Sequence, residues 1–231
     1  MASSADPRPP ATTGRRPPAL VYRGPAALPG CPEAVAALLA AGPWRMDVRY
    51  VGPDEALPLT AASLDGALLY AQPGGGGLDE AYRHLERHRE AMRGYVRGGG
   101  RYLGFCLGGY LAGSGPGFAL LPGDPDQYIT SPDATVHDER DTIVEVAWRG
   151  RPRSLYFQDG PYFTRGDAPG ADVLATYPNG TVAALTARFG GGRVGVVGPH
   201  PEATDDWFTD VGLPVLHTRD MGVDLVNAVL A

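Results

Sequence analysis

The fold class follows from RYLGFCLGGYLA, residues 101–112. RYLGF (101–105) is a continuous apolar run of strand length. It leads directly into Gly104-Phe105-Cys106-Leu107-Gly108, a nucleophile flanked at two residues on each side by glycine. That spacing predicts a sharp turn between a buried strand and a helix, where small neighbours relieve the crowding around an exposed side chain. A thiol at a helix N-terminus gains from the dipole. The Leu107 N–H would then point at a developing oxyanion. The same pattern also describes a small buried cysteine on a tight turn, so the segment alone leaves both readings open.

On either side of this segment the chain alternates strand and helix. ALVY (19–22) reads as a short buried strand, followed by the loop Arg23–Pro32 and a helix from Glu33 to Ala41 with Pro32 in its first turn. DVRYVG (47–52) and GALLYA (66–71) read as strands, the latter ending in the glycine cluster Pro73–Gly77. Leu78–Arg97 is predicted as one helix, with Leu85, Met92 and Val96 at helical spacing and Gly98–Gly100 ending it. This β-α-β-β-α-β order is the signature of an α/β domain with a parallel sheet.

Beyond residue 115 the chain turns polar and loop-rich. TIVEVAW (142–148) and SLYFQ (154–158) read as a strand pair, and VLATY (173–177) with TVAALTARF (181–189) as a hairpin over Pro178-Asn179-Gly180. GRVGVVG (192–198) returns to a buried strand, and a helix over 219–230 closes the chain. One α/β domain, 19–231, with a β-rich insertion is the simplest account. Residues 1–18, rich in Pro, Ser, Thr and Ala, read as a disordered tail.

Composition narrows the chemistry. The 231 residues contain no lysine, which excludes Schiff-base catalysis, a pyridoxal-phosphate anchor and a P-loop lysine. A net charge of −6 argues against nucleic acid as a partner. No apolar run reaches 18 residues, so no membrane span is expected and the cytoplasm is the default. Two cysteines, Cys31 and Cys106, are too few for a disulfide framework. Cys31 reads as an incidental small residue in the loop after the first strand, with a redox partner for Cys106 as the other reading.

A cysteine nucleophile needs a base. His84 and His88 lie four apart among charges, and HLERH is not a zinc motif. His137 lies in a charged loop, and His217 has no obvious partner. His200 follows directly on the strand GRVGVVG, in Gly198-Pro199-His200-Pro201-Glu202. Strand ends are where parallel sheets place ligands, and Glu202 can hold the imidazole in its useful tautomer. No metal or cofactor is called for.

These blocks together resemble class I glutamine amidotransferases. Within that class, VYRGP (21–25), PGG (73–75), YLGFCLGGYLA (102–112), Gly160 in YFQDGPYF (156–163), VLATY (173–177) and GRVGVVGPHPE (192–202) resemble the amidotransferase-like N-terminal domain of the large biotin–protein ligases. The resemblance implies a flavodoxin-like three-layer sandwich with a mostly parallel central sheet and the cysteine at a strand end. It makes Cys106 the nucleophile, His200 the base and Glu202 its orienter, with Gly74 or Gly75 beside Leu107 as the oxyanion hole. It sets Gln158, Asp159, Gly160 and Tyr162 beside the substrate.

Two positions depart from the family pattern. Tyr110 stands where the glutamine-using enzymes carry Gln, which points away from free glutamine. Gln158-Asp159-Gly160-Pro161 replaces an expected Asn-Gly-Gly. The length accommodates the amidotransferase-like domain and leaves no room for a ligase module.

The expected function is therefore cysteine-dependent acyl transfer on a small-molecule or peptide carbonyl. A non-catalytic ligand-binding or regulatory module, and a DJ-1-like lyase or hydratase, are the alternatives. A homodimer or a pathway enzyme is the candidate macromolecular partner. Tyr22, Tyr110, Tyr156, Phe157, Tyr162 and Phe163 are candidates for an aromatic pocket.

Overall fold

The computed structural model describes residues 16–231. In chain order the first half comprises β1 (Pro18–Tyr22), α1 (Cys31–Ala40), β2 (Asp47–Val51), α2 (Ala61–Asp65), β3 (Leu69–Gln72), α3 (Leu78–Leu85), α4 (Arg89–Arg97), β4 (Arg101–Phe105) and α5 (Leu107–Tyr110). The second half comprises β5 (Pro125–Gln127), β6 (Thr142–Trp148), β7 (Arg151–Phe157), β8 (Pro161–Phe163), β9 (Asp172–Thr176), β10 (Val182–Phe189), β11 (Gly192–Val197), α6 (Asp205–Asp210) and α7 (Arg219–Leu230).

One sheet joins them in the order β2-β1-β3-β4-β11-β10-β9-β6-β7. The strands from β2 to β11 run parallel, and β11 onward continues antiparallel. β5 and β8 pair with each other, and β8 touches β10 off the main path. The order 2-1-3-4 with a fifth parallel strand beside it is the flavodoxin-like doubly wound arrangement, which places ligands outside the strands' carboxyl ends. The β-rich segment extends that sheet instead of forming a separate body.

Alternation along each parallel strand builds the three layers. In β1, Ala19 and Val21 join a core under α1 and α7 with Val35, Leu38, Leu225 and Val229. Leu20 and Tyr22 point the other way, into a core with Leu64, Leu85, Met92 and Val96 from α2, α3 and α4. Strands buried on both faces read as continuous apolar runs, and for this reason RYLGF and GRVGVV show no polar alternation.

Several expectations need correction. Of the expected tail 1–18, positions 1–15 lie outside the described residues, while Pro18 opens β1 and the Pro17 carbonyl accepts a hydrogen bond from Asp47 N–H at 2.9 Å. A proline is tolerated as the first residue of a strand. The single helix expected over 78–97 is broken by a 3-10 turn at Glu86–His88, which has no buried residue to hold it in α geometry. The α1 helix starts at Cys31, so that residue is the first of a helix and not part of the loop.

The polar stretch after residue 115 is better packed than its composition suggests. Phe118, Leu120 and Tyr128 are fully buried, and the Tyr128 ring stacks on Tyr177 at 3.8 Å between centroids. The hairpin over Pro178-Asn179-Gly180 forms as expected, with Gly180 at φ +84 and the Asn179 side chain accepting from Thr181.

Candidate active site

The elbow after β4 is built by close backbone approach. A Cβ on Gly104 would overlap the Gly108 carbonyl oxygen, and a Cβ on Gly108 would overlap the Gln72 carbonyl oxygen at the end of β3. Only glycine fits at either place. Between them Cys106 adopts φ 47 and ψ −105, a strained conformation for a residue with a side chain. Its N–H is fixed to the Val197 carbonyl at 2.9 Å, and the residue is 7% exposed.

The helix that follows is a single turn, Leu107–Tyr110. The dipole contribution expected for Cys106 therefore shrinks to the first free N–H groups of that turn, of which Leu107 N–H has no intrahelical partner. Gly113-Ser114-Gly115-Pro116-Gly117 explains the early stop, since glycine and proline both disfavour helix propagation.

His200 and Glu202 follow β11, the strand beside β4. The imidazole Nδ1 and the Glu202 carboxylate Oε1 are 2.8 Å apart, and both side chains are buried. The His200 N–H donates to the Tyr156 carbonyl at 2.9 Å, and the Pro201 carbonyl accepts from the Thr218 hydroxyl at 3.1 Å. Trp207 and Tyr156 pack edge-on against the ring at 5.2 and 6.0 Å between centroids. The imidazole is thus fixed in position by backbone, carboxylate and aromatic contacts.

Burial alone would lower the His200 pKa. The charges of Glu202 and Cys106 beside it outweigh that cost and raise the value to about 10. The other carboxylate oxygen, Glu202 Oε2, is buried without a hydrogen-bond partner, so the imidazolium is the main compensation for that charge.

Cys106, His200, Tyr156 and Trp207 line one small cavity of about 140 Å³, together with Cys31 and Gly75. The Cys106 thiol donates to the Gln158 carbonyl at 3.6 Å. Gly75 and Gln158 also line a larger cavity of about 530 Å³ that opens from the same thiol and includes Leu107, Tyr110 and Asp159. Gly74 lies against the imidazole, where a Cβ would come within 2.9 Å of His200 Cε1.

The expected site residues divide into two groups. Cys106, Leu107, Gly75, Tyr110, Gln158, Asp159 and His200 line these two cavities, with Glu202 bonded behind His200. Gly74, Gly160 and Tyr162 line neither. Gly160 instead packs so closely on Gly198 that a Cβ would overlap its carbonyl, and the Tyr162 hydroxyl donates to Asp126 at 3.3 Å. Of the aromatic candidates, Tyr110 and Tyr156 face the cavities, Phe157 and Phe163 are core, and Tyr22 belongs to a separate cavity near His84.

Cys31, incidental on sequence grounds, shares the small cavity with the nucleophile candidate. Burial, then the charges of Glu202 and Cys106, push its thiol pKa far up. Both cysteines are free thiols.

Sequence reasoning missed Asp126, Gln127 and Glu139, which also line the larger cavity. They come from the polar stretch whose fold carries no periodic signal. Gln127 Nε2 donates to both Asp159 carboxylate oxygens at 2.9 Å, and the Tyr110 hydroxyl donates to the Asp159 carbonyl at 3.2 Å. Among the described residues no group of three or more His, Cys, Asp or Glu could hold a metal ion, and no helix is long and apolar enough to cross a membrane.

No protein-family model matches the chain, and no curated protein matches it. Solved structures do. A glutamine amidotransferase structure superposes with a TM-score of 0.59 at 18% identity, covering 82% of this chain and 93% of that one. A putative GMP synthase component from Thermoplasma acidophilum gives 0.61 at 12% identity over 93% and 94% of the two chains. An exo-β-1,4-mannosidase from an Opitutaceae bacterium gives 0.54 at 18% identity, over 93% of this chain but 36% of that one. The same architecture thus accompanies different named activities, so these likenesses establish a glutamine amidotransferase-type α/β fold and leave the reaction to the site itself.

Proposed function

We propose that the protein is a cysteine-dependent acyl-transfer enzyme, a hydrolase or transferase of the amidotransferase-like class. The observation that carries this reading is the convergence of a strained Cys106 and a Glu202-bonded His200 on one cavity. Three groups from two adjacent strand ends in the nucleophile–base–orienter relation are the general arrangement for activating a weak nucleophile.

In this reading the Cys106 thiolate attacks the substrate carbonyl carbon, forming a C–S bond as the C=O electron pair moves onto oxygen. The N–H groups of Leu107 and Gly75 receive that oxyanion. His200, charged at neutral pH, gives its proton to the leaving group as the tetrahedral intermediate collapses to a thioester. Water, or an amine acceptor, then attacks the thioester carbonyl carbon while giving a proton to His200, and the C–S bond breaks to release the acyl product and return the Cys106 thiolate. Glu202 keeps the Nδ1 proton in place throughout.

Tyr110 and the Gln158-Asp159 segment line the larger cavity, and Tyr110 stands where the enzymes that use free glutamine carry Gln, which points away from that substrate. The likeness to the amidotransferase-like domain of large biotin–protein ligases rests on sequence blocks alone and supplies no reaction.

A chromogenic activated ester such as p-nitrophenyl acetate tests the proposal. The expected result is a burst of one p-nitrophenolate per chain with an acetyl mass gain on Cys106, lost in Cys106→Ala. A steady background release equal in wild type and Cys106→Ala would overturn it.

A further inference from the structure

Cys31 is a nucleophilic side chain that acyl transfer leaves without a task. It opens α1 and lines the small cavity of about 140 Å³ together with Cys106 and His200. Cys31 Sγ and His200 Cε1 close on one point, the place a Cβ on Gly74 would take, at 3.4 and 2.9 Å from it. The charge of Cys106 acts on both the Cys31 thiol and the His200 imidazole. Two thiols and one imidazole therefore share a single small space.

The two thiols are unequal. Burial, then the negative charges of Glu202 and Cys106, hold the Cys31 thiol in its protonated form. Cys106 sits beside an imidazole that, despite burial, the charges of Glu202 and Cys106 keep protonated past neutrality, and that cation stabilises a thiolate. An oxidant entering the cavity therefore reacts first at Cys106. Conversion of the thiolate to a neutral sulfenic acid removes one of the charges that oppose ionisation of Cys31, and it makes the Cys106 sulfur an electrophile. The chain at Cys31 can follow such a change, because Leu28, Pro29 and Gly30 before it are exposed loop and not sheet.

We propose that Cys106 and Cys31 form a reversible oxidation site for hydrogen peroxide, with Cys31 as the resolving thiol. In the first step the Cys106 thiolate attacks a peroxide oxygen. The S–O bond forms as the O–O bond breaks, and the departing hydroxide takes a proton from His200 and leaves as water. The sulfur is oxidised to sulfenic acid and the peroxide is reduced. In the second step the Cys31 thiol passes its proton to His200, and its sulfur attacks the Cys106 sulfur. The S–S bond forms as the S–O bond breaks, and the hydroxide again takes the proton from His200 and leaves as water. The disulfide masks the nucleophile, so oxidation halts acyl transfer while sparing Cys106 irreversible over-oxidation. This goes beyond the acyl-transfer reading, because it needs no carbonyl substrate.

Stoichiometric hydrogen peroxide on the reduced full chain, followed by a maleimide block and tryptic peptide mass without reductant, tests the proposal. The expected product is a peptide pair linking Cys31 to Cys106 within one chain, with both cysteines closed to maleimide and the p-nitrophenolate burst lost. Dithiothreitol should restore both thiols and the burst. Cys31→Ser should instead stop at a sulfenic acid on Cys106 that dimedone traps, and it should carry several-fold more sulfinic acid after excess peroxide. Wild type that gathers sulfenic or sulfinic acid on Cys106 with no link to Cys31, or that links only between chains, overturns the inference and leaves the nucleophile standing. A Cys106 left reduced overturns it as well, and the burst of the untreated protein then decides whether the acyl-transfer reading falls with it.

Discussion

The parallel half of the sheet and its antiparallel extension contribute to the cavity by different means. In the parallel half, Cys106, Gly74, Gly75 and His200 sit at the ends of β4, β3 and β11, where backbone contact leaves little freedom: a Cβ at Gly104 or Gly108 has nowhere to go. In the antiparallel half, Asp126 on β5 and Glu139 and Gln158 in loops are exposed side chains, placed to be exchanged without disturbing the core. On the proposed reading, the first half fixes where chemistry happens and the second sets what is presented to it. This is the general division in α/β folds, where a rigid strand-end scaffold carries variable loops.

The largest effects belong to the parallel half. His200→Ala should slow acylation of Cys106 by roughly 10² to 10⁴-fold, the range for loss of a positioned acid–base group. Stopped-flow release of p-nitrophenolate measures it, and an unchanged burst rate would erase the distinction between the two halves. Next comes Gly104→Ala, which forces a methyl into the Gly108 carbonyl and should cost about 1–3 kcal/mol in urea unfolding. A neutral result would mean that the elbow can relax.

The buried ion pair gives a pH signature. His200 has its pKa raised in the folded state from 6.5 to about 10, so its contribution to stability is complete below about pH 6.5 and is lost as pH rises through 10. The thermal midpoint should therefore decline across that window, and Glu202→Gln should flatten the decline. Calorimetry at stepped pH reads both. The smallest effect is expected in the antiparallel half: Glu139→Gln should change unfolding free energy by no more than about 0.5 kcal/mol, because its side chain is exposed. A large loss there would show that the antiparallel half is scaffold too.

The same division explains what could be read from the amino acids. The doubly wound order and the Cys106 and His200-Glu202 placements are legible because parallel strands bury both faces and end in glycine, leaving apolar runs with sharp boundaries. The acidic lining of the larger cavity is not. Glu139 lies in a loop and Asp126 in the three-residue β5, both too short for periodicity, and Asp126 comes beside Asp159 through the pairing of β5 with β8. Cys31 is invisible for another reason: its approach to His200 is set by Gly74 and by the loop that Gln72 ties down through Ala26, contacts between distant positions in the chain.

The two thiols of the small cavity give the sharpest discrimination. At pH 7, iodoacetamide labelling followed by peptide mass should modify Cys106 at least about 100-fold faster than Cys31, whose thiol burial holds in its protonated form, and His200→Ala should remove most of that advantage. Equal rates at the two cysteines, or a Cys106 rate indifferent to His200, would contradict the claim that this site is built around an activated nucleophile.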